Sequence, residues 1–239
     1  MPRFRLPDYI RSTYAVSDWR GFRLCGLDEV GRGAYAGPLV AAAVVLPPRF
    51  RHPLLRDSKL LTARQRETIA PVIRRRATAW AIAEVSTQEI NTRGLGWANV
   101  EIFRRLVELV DADGYCCDGR LRIPGDRQVH SLVAGDRLVP AVSAASIIAK
   151  VHRDAIMREL HQGAPHYNWA SNKGYGAAEH RAAIREHGPH AEHRRVFLAS
   201  VLQLDLMLVA AQGDGATSGT DDASVPAAGA GAAGTAATA

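Results

Sequence analysis

Apolar residues recur along the chain with two different spacings, and the alternation between them sketches the architecture. RLCGLDEV (23–30) is a short apolar run that ends in two adjacent carboxylates, Asp28 and Glu29. PLVAAAVVL (38–46) is an unbroken apolar stretch of strand length, and TAWAIAEVS (78–86) alternates Trp80, Ile82 and Val85 with smaller residues, so all three predict strands. Helical spacing takes over in LLTARQRETIAPVIRRRA (60–77), where Thr62 and Gln65 make a capping box and Pro71 is expected to strain or end the helix. After an expected loop at 91–96, NVEIFRRLVELV (99–110) repeats Val100, Phe103, Leu106, Val107 and Val110 on one helical face.

The second half repeats the theme. GYCCDG (114–119) predicts another buried strand that delivers a carboxylate, Asp118, at its end, and 128–134 predicts one more strand before Gly135-Asp136-Arg137. PAVSAASIIAKVHRDAIMREL (140–160) follows as a long helix whose Ser143, Ala144, Ala145 and Ala149 allow close packing on a sheet. Residues 161–176 read as a loop in which Tyr167 and Trp169 serve as anchors and Tyr175, between glycines, is exposed. A helix over 177–187 stops at Gly188-Pro189, and a closing helix is expected from about 193 to 211. Strands alternating with helices give an α/β fold with a mixed sheet that contains parallel members.

The ends differ from the middle. Residues 1–22 are polar with isolated aromatics and read as an N-terminal lead-in or short helix, residues 23–212 as one folded domain, and the Ala/Gly-rich 213–239 as a disordered tail. The formal net charge is +6, but the tail holds Asp214, Asp221 and Asp222 and no Lys or Arg, so residues 1–212 carry +9. That charge suits a polyanionic partner. Cys25, Cys116 and Cys117 are odd in number and form no CxxC, which argues against a disulfide framework or structural zinc and for small buried thiols in a reducing cytoplasm. MPRFRLPDYIRSTYAVSDWR (1–20) is polar and broken by Pro7, so no signal segment is expected there, and the apolar stretch 196–211 is too short for a membrane span and carries Asp205.

Candidate chemistry concentrates where Asp28 and Glu29 open onto Gly31-Arg32-Gly33. The glycines loosely echo a dinucleotide-binding loop, yet Pro38 and the apolar run after it predict a strand where such a loop needs a helix. Two unit charges ~4 Å apart repel by about 4 kcal/mol at an effective dielectric near 20, so bare phosphate is unwelcome beside this pair. A divalent cation reverses that sign, and hard carboxylate oxygens suit Mg²⁺ or Mn²⁺. His187, His190 and His193 do not form a zinc site, because Pro189 interrupts any shared helix and no thiolate joins them.

DEVGRGAYAGPLVAAAVVL (28–46) resembles the first motif of the ribonuclease HII family, the type 2 ribonucleases H. The similarity continues in order through DSKLLTARQRE (57–67), CCDG (116–119), SAASIIAKVHRD (143–154) and NKGYGAAEHRAAIREHGP (172–189), spanning about residues 23–198. The family often has Thr after GYG where this chain has Ala177, which removes a helix-capping hydroxyl and leaves the chemistry untouched. Residues 1–22 are shorter than the additional N-terminal domain of the related ribonuclease HIII group, so no such domain is expected here.

The resemblance implies a ribonuclease H-like mixed β-sheet flanked by helices, with a helical C-terminal extension. It implies that Asp28, Glu29, Asp118 and Asp136 hold two divalent ions, Mg²⁺ or Mn²⁺, for phosphodiester hydrolysis that leaves 5′-phosphate and 3′-hydroxyl ends. Gly31, Arg32 and Gly33 would read a ribose 2′-hydroxyl, Tyr175 would pack on the neighbouring sugar, and Lys59 would contact phosphate. Asp154 is either a support for the acids or an exposed or salt-bridged helix carboxylate, and His193-Arg194 is either structural or close to phosphate. The expected partners are RNA/DNA hybrids and duplex DNA containing ribonucleotides, cut by a monomer in the cytoplasm. Two rivals predict different outcomes: a resolvase- or integrase-type nuclease would cut all-DNA duplexes equally well, and a non-catalytic nucleic-acid binder would cut nothing.

Overall fold

The computed structural model describes residues 4–55, 58–120, 123, 129–199 and 201–202. Asp57, Gln128, the tail 213–239 and most of the expected closing helix lie outside the described residues; of that helix, 195–199 and 201–202 are helical.

Five strands form one sheet: β1 (Leu24–Val30), β2 (Leu39–Val45), β3 (Ala79–Val85), β4 (Gly114–Asp118) and β5 (Val129–Leu132), in spatial order β3-β2-β1-β4-β5. β1–β2 and β2–β3 pair antiparallel, whereas β1–β4 and β4–β5 pair parallel, so the mixed sheet expected from the alternating pattern is present. Period-two alternation sends Cys25, Leu27, Leu39, Ala41 and Cys117 to one face and Val40, Ala42 and Val44 to the other. The first face is covered by α3 (Thr87–Arg93) and α4 (Leu95–Leu109), through Ile90, Ile102, Phe103 and Leu106. Covering the second are α2 (Ala63–Arg76) and the long α6, which runs from Pro140 to Gly163, through Ile69, Ile73, Ile147 and Ile148. Each fully buried Leu or Ile of these layers contributes about 1.5–3 kcal/mol.

α6 lies unusually close to the central strand. A Cβ at Gly26 would stand 2.1 Å from the Ala141 carbonyl carbon, so only glycine lets the N-terminal turn of α6 press onto β1. The helix α1 (Leu6–Tyr14) seals the other end of β1 and β4 with Ile10 and Tyr14, whose hydroxyl donates to the Tyr115 carbonyl at 2.7 Å. The three cysteines are free and buried, with Cys116 and Cys117 in different core clusters on opposite faces. Among the described residues, no helix is long and apolar enough to cross a membrane.

Three local expectations need correction. α2 is capped as expected, with both Thr62–Gln65 bonds made, but it runs through Pro71 to Arg76. Pro71 is solvent-facing, where water can satisfy the carbonyl that the ring leaves unbonded. The loop expected at 91–96 shrinks to Gly94, because a second capping box, Ser86–Glu89, starts α3 and Gly94 at φ 86° turns the chain straight into α4. The loop expected at 161–176 is largely helical: α6 continues to Gly163, a 3₁₀ turn spans Pro165–Tyr167, and α7 covers Trp169–Asn172. Tyr167 and Trp169 do anchor it, buried with Met157, Ala183 and Ile184 against α8 (Ala178–His187).

Candidate active site

β1 and β4 lie side by side and parallel, with Leu27 opposite Cys117. One residue further along each strand come Asp28 and Asp118, so two acids 90 positions apart in sequence leave the sheet together. They open into a cleft of about 310 Å³ that is also lined by Glu29, Gly31, Arg32, Gly33, Lys59 and Tyr175. Asp136 does not itself line the cleft. It sits buried in the short α5 (Gly135–Leu138), where Lys59 Nζ approaches its Oδ2 at 3.5 Å, and Asp118 Oδ1 accepts from the Gly135 N–H at 2.8 Å. The structure therefore brings all nine sequence-predicted residues to one end of β1 and β4.

Electrostatics at this end are strained in one direction. Asp28 is 8% exposed. Burial, and then the Glu29, Asp118 and Asp136 carboxylates, push its carboxyl up to about 8, against the opposing hydrogen bond from Ser146. Burial raises Glu29 as well, with Arg32 and Lys59 pulling the other way. Every donor at the site is a hard oxygen, and the crowding of negative charge is what a divalent cation relieves. Among the described residues, however, no three carboxylate, imidazole or thiol side chains stand close enough together to hold a metal ion.

Several residues of the site escaped sequence reasoning. Ser58 and Ser146 line the cleft, bonded to each other at 2.7 Å, and so do Arg66 and Lys150. Asp154 is the salt-bridged carboxylate, buried rather than exposed, with Lys150 Nζ at 2.6 Å and Arg66 Nη2 at 3.8 Å. Two arginines matter more: Arg153, which sequence reasoning missed, and Arg194 are each 0% exposed. Arg194 donates to the carbonyls of Gly31 (2.6 Å), Arg32 (3.1 Å) and Gly37 (2.8 and 2.9 Å). Arg153 donates to Pro38, Ala36 and Lys173 at 2.8–2.9 Å and lies under the Tyr175 ring, 5.5 Å from its centroid. Two charges so placed brace the Gly31–Gly33 turn and the Tyr175 segment from inside the protein. Arg194 thus takes the structural alternative, and the only signal for Arg153 was its place in the SAASIIAKVHRD string.

Residues 25–199 match the family described as Ribonuclease HII. The ribonuclease HII of Azoarcus sp. (strain BH72) is 44% identical over 180 residues, 73% of this chain and 86% of that protein. Among solved structures, the PCNA:RNase HII complex from Archaeoglobus fulgidus matches with a TM-score of 0.63 at 24% identity, over 73% of this chain and 95% of that one. Bst-RNase HIII in complex with Mn²⁺ matches with a TM-score of 0.55 at 23% identity, over 70% of this chain and 63% of that one. Likeness at that level of identity shows a shared fold. A family match over residues 25–199, a relative 44% identical and a sheet that brings the motif residues to one cleft agree: the chain belongs to the ribonuclease HII family.

Proposed function

We propose that the cleft hydrolyses the RNA strand of RNA/DNA hybrids, and single ribonucleotides embedded in duplex DNA, leaving 5′-phosphate and 3′-hydroxyl ends. The observation that carries this reading is the delivery of Asp28 and Asp118 by adjacent parallel strands into the cleft that Gly31–Gly33 and Tyr175 also face. Asp28, Glu29, Asp118 and Asp136 would hold two divalent ions, Mg²⁺ or Mn²⁺. When bound, such ions supply charge neutralisation at the scissile phosphate and acidify an attacking water. Lys59, on the rim, offers a positive charge to a phosphate and balances Asp136.

Sugar recognition would fall to the turn. Arg194 holds the carbonyls of Gly31 and Arg32 inward, so the groups that the turn presents outward are N–H donors, suited to a ribose 2′-hydroxyl oxygen. Tyr175, 37% exposed, presents its ring at the same cleft and would pack on the neighbouring sugar. The test is cleavage of a DNA duplex with one ribonucleotide, mapped to the nucleotide, beside a matched all-DNA duplex and with Mg²⁺, Mn²⁺ or chelator. Cutting confined to the ribonucleotide and dependent on the cation is expected; equal cutting of both duplexes, or cutting indifferent to chelation, refutes the proposal.

A further inference from the structure

We infer that His180 and His193 are positioning residues for Tyr175: a neutral pair of imidazoles whose fixed protons hold the backbone of the residue placed against the sugar. The inference rests on the proposed sugar-contacting role of Tyr175.

The hydrogen-bond pattern leaves one arrangement of protons. The backbone N–H of His190 donates to His193 Nδ1 at 2.7 Å, so that nitrogen is bare and the ring carries its proton on Nε2. His193 Nε2 lies 3.1 Å from His180 Nε2. Trp169 Nε1, which can only donate, lies 2.9 Å from the same His180 atom. His180 Nε2 therefore accepts both, its proton sits on Nδ1, and that N–H donates to the Tyr175 carbonyl at 2.8 Å. Neither ring can take a second proton without setting two hydrogens against each other. Burial agrees, holding both imidazoles below the ordinary histidine range, His193 at about 4.

The chain of bonds ends where specificity is proposed. Tyr175 makes a β-bridge to Ala34, the residue after Gly33, and His193 makes one to Ala36. His180 thus pins Tyr175 at the point where its strand meets the sugar-reading turn, while His193 and Trp169 fix the angle of the His180 ring. All three rings are buried, so they reach the substrate only through Tyr175.

Two substitutions separate positioning from bulk structure. In His180→Asn the amide N–H takes the place of Nδ1 and can still donate to Tyr175; in His180→Gln the amide reaches the Nε2 position and the donor to Tyr175 is lost. On the single-ribonucleotide duplex, His180→Gln is expected to lower kcat/KM about tenfold, the scale of one net hydrogen bond, and His180→Asn by less than about threefold. In a Tyr175→Ala background the His180→Gln loss is expected to vanish, because the effect runs through Tyr175. Equal losses in the two variants, or a His180→Gln loss that persists undiminished without the tyrosine ring, overturn the inference. Imidazole ¹⁵N spectra of the unaltered protein at pH 7 give a reading independent of any variant's folding: His180 protonated on Nδ1 and His193 on Nε2 are expected, and either tautomer reversed, or either ring cationic, overturns it. An unaltered protein that leaves the ribonucleotide uncut would sink the functional reading and this role with it, whereas reversed tautomers in a protein that cuts normally would sink this inference alone.

Discussion

Gly31 and Gly33 flank the same arginine, yet the structure predicts opposite consequences for replacing each by alanine. Gly31 has φ +91°, and a Cβ there would stand 2.2 Å from Arg153 Nε and 2.8 Å from its Cδ and Cζ. Arg153 cannot step aside cheaply, because it is fully buried and spends its donors on the carbonyls of Pro38, Ala36 and Lys173. The left-handed backbone costs alanine about 1–2 kcal/mol, and disturbing one or two bonds from a charged donor adds about 1.5–3 kcal/mol each. Gly31→Ala is therefore expected to destabilise by about 2.5–8 kcal/mol, a fall in Tm on the order of 10 °C for a domain of this size. Gly33, by contrast, has nothing within 4 Å of its hypothetical Cβ, so Gly33→Ala should melt within about 1 °C of the parent. If the turn reads a sugar, that methyl group meets substrate instead, and kcat/KM on the single-ribonucleotide duplex should fall by at least about tenfold. Thermal melting and cleavage of both variants decide the matter. A Gly31→Ala protein as stable as the parent refutes the Arg153 brace, and a Gly33→Ala protein that cuts normally refutes sugar reading at that position.

Asp28→Asn removes a buried charge that faces Glu29, Asp118 and Asp136. It should cut cation-dependent cleavage by at least about 100-fold while stabilising the cation-free protein at pH 8 by several kcal/mol, and a variant that cleaves normally contradicts the assignment. His193 is held neutral in the fold with its pKa lowered to about 4, first by burial and then by His180, so the unfolded chain takes up the proton first as pH falls. Stability should decline from about pH 6.5 down through pH 4, by about 2 kcal/mol at pH 5 relative to His193→Asn, and denaturant titrations giving parallel profiles for the two proteins would rule this out. Lys59 has a side chain 76% exposed and lies 3.5 Å from Asp136. Lys59→Ala should shift stability by less than about 1 kcal/mol yet raise KM and flatten its dependence on salt, so an unchanged KM removes Lys59 from phosphate binding.

Much of the scaffold is written locally. The alternation Cys25, Leu27 against Gly26, Asp28 assigns faces within seven residues of β1, and Thr62 with Gln65 starts a helix through contacts three residues apart. Ser86 with Glu89 carries the same signal for α3, which the polar run around Asn91 obscured. An acid at the end of each of two apolar runs was legible for the same reason: a buried strand that delivers a charge is visible in a short window. Tertiary structure decided what those windows cannot contain. Asp118 neighbours Asp28 because β4 pairs parallel with β1, across a separation filled by two strands and three helices. Arg153 and Arg194 look like surface cations by residue type, and only the fold supplies the inward-facing carbonyls that accept from two buried guanidinium groups. Gly31 and Gly33 are indistinguishable in sequence, yet one abuts a buried side chain and the other open space. Periodicity and capping act over a few residues, whereas burial and strand pairing depend on which distant segments meet, and that is settled only when the whole core closes.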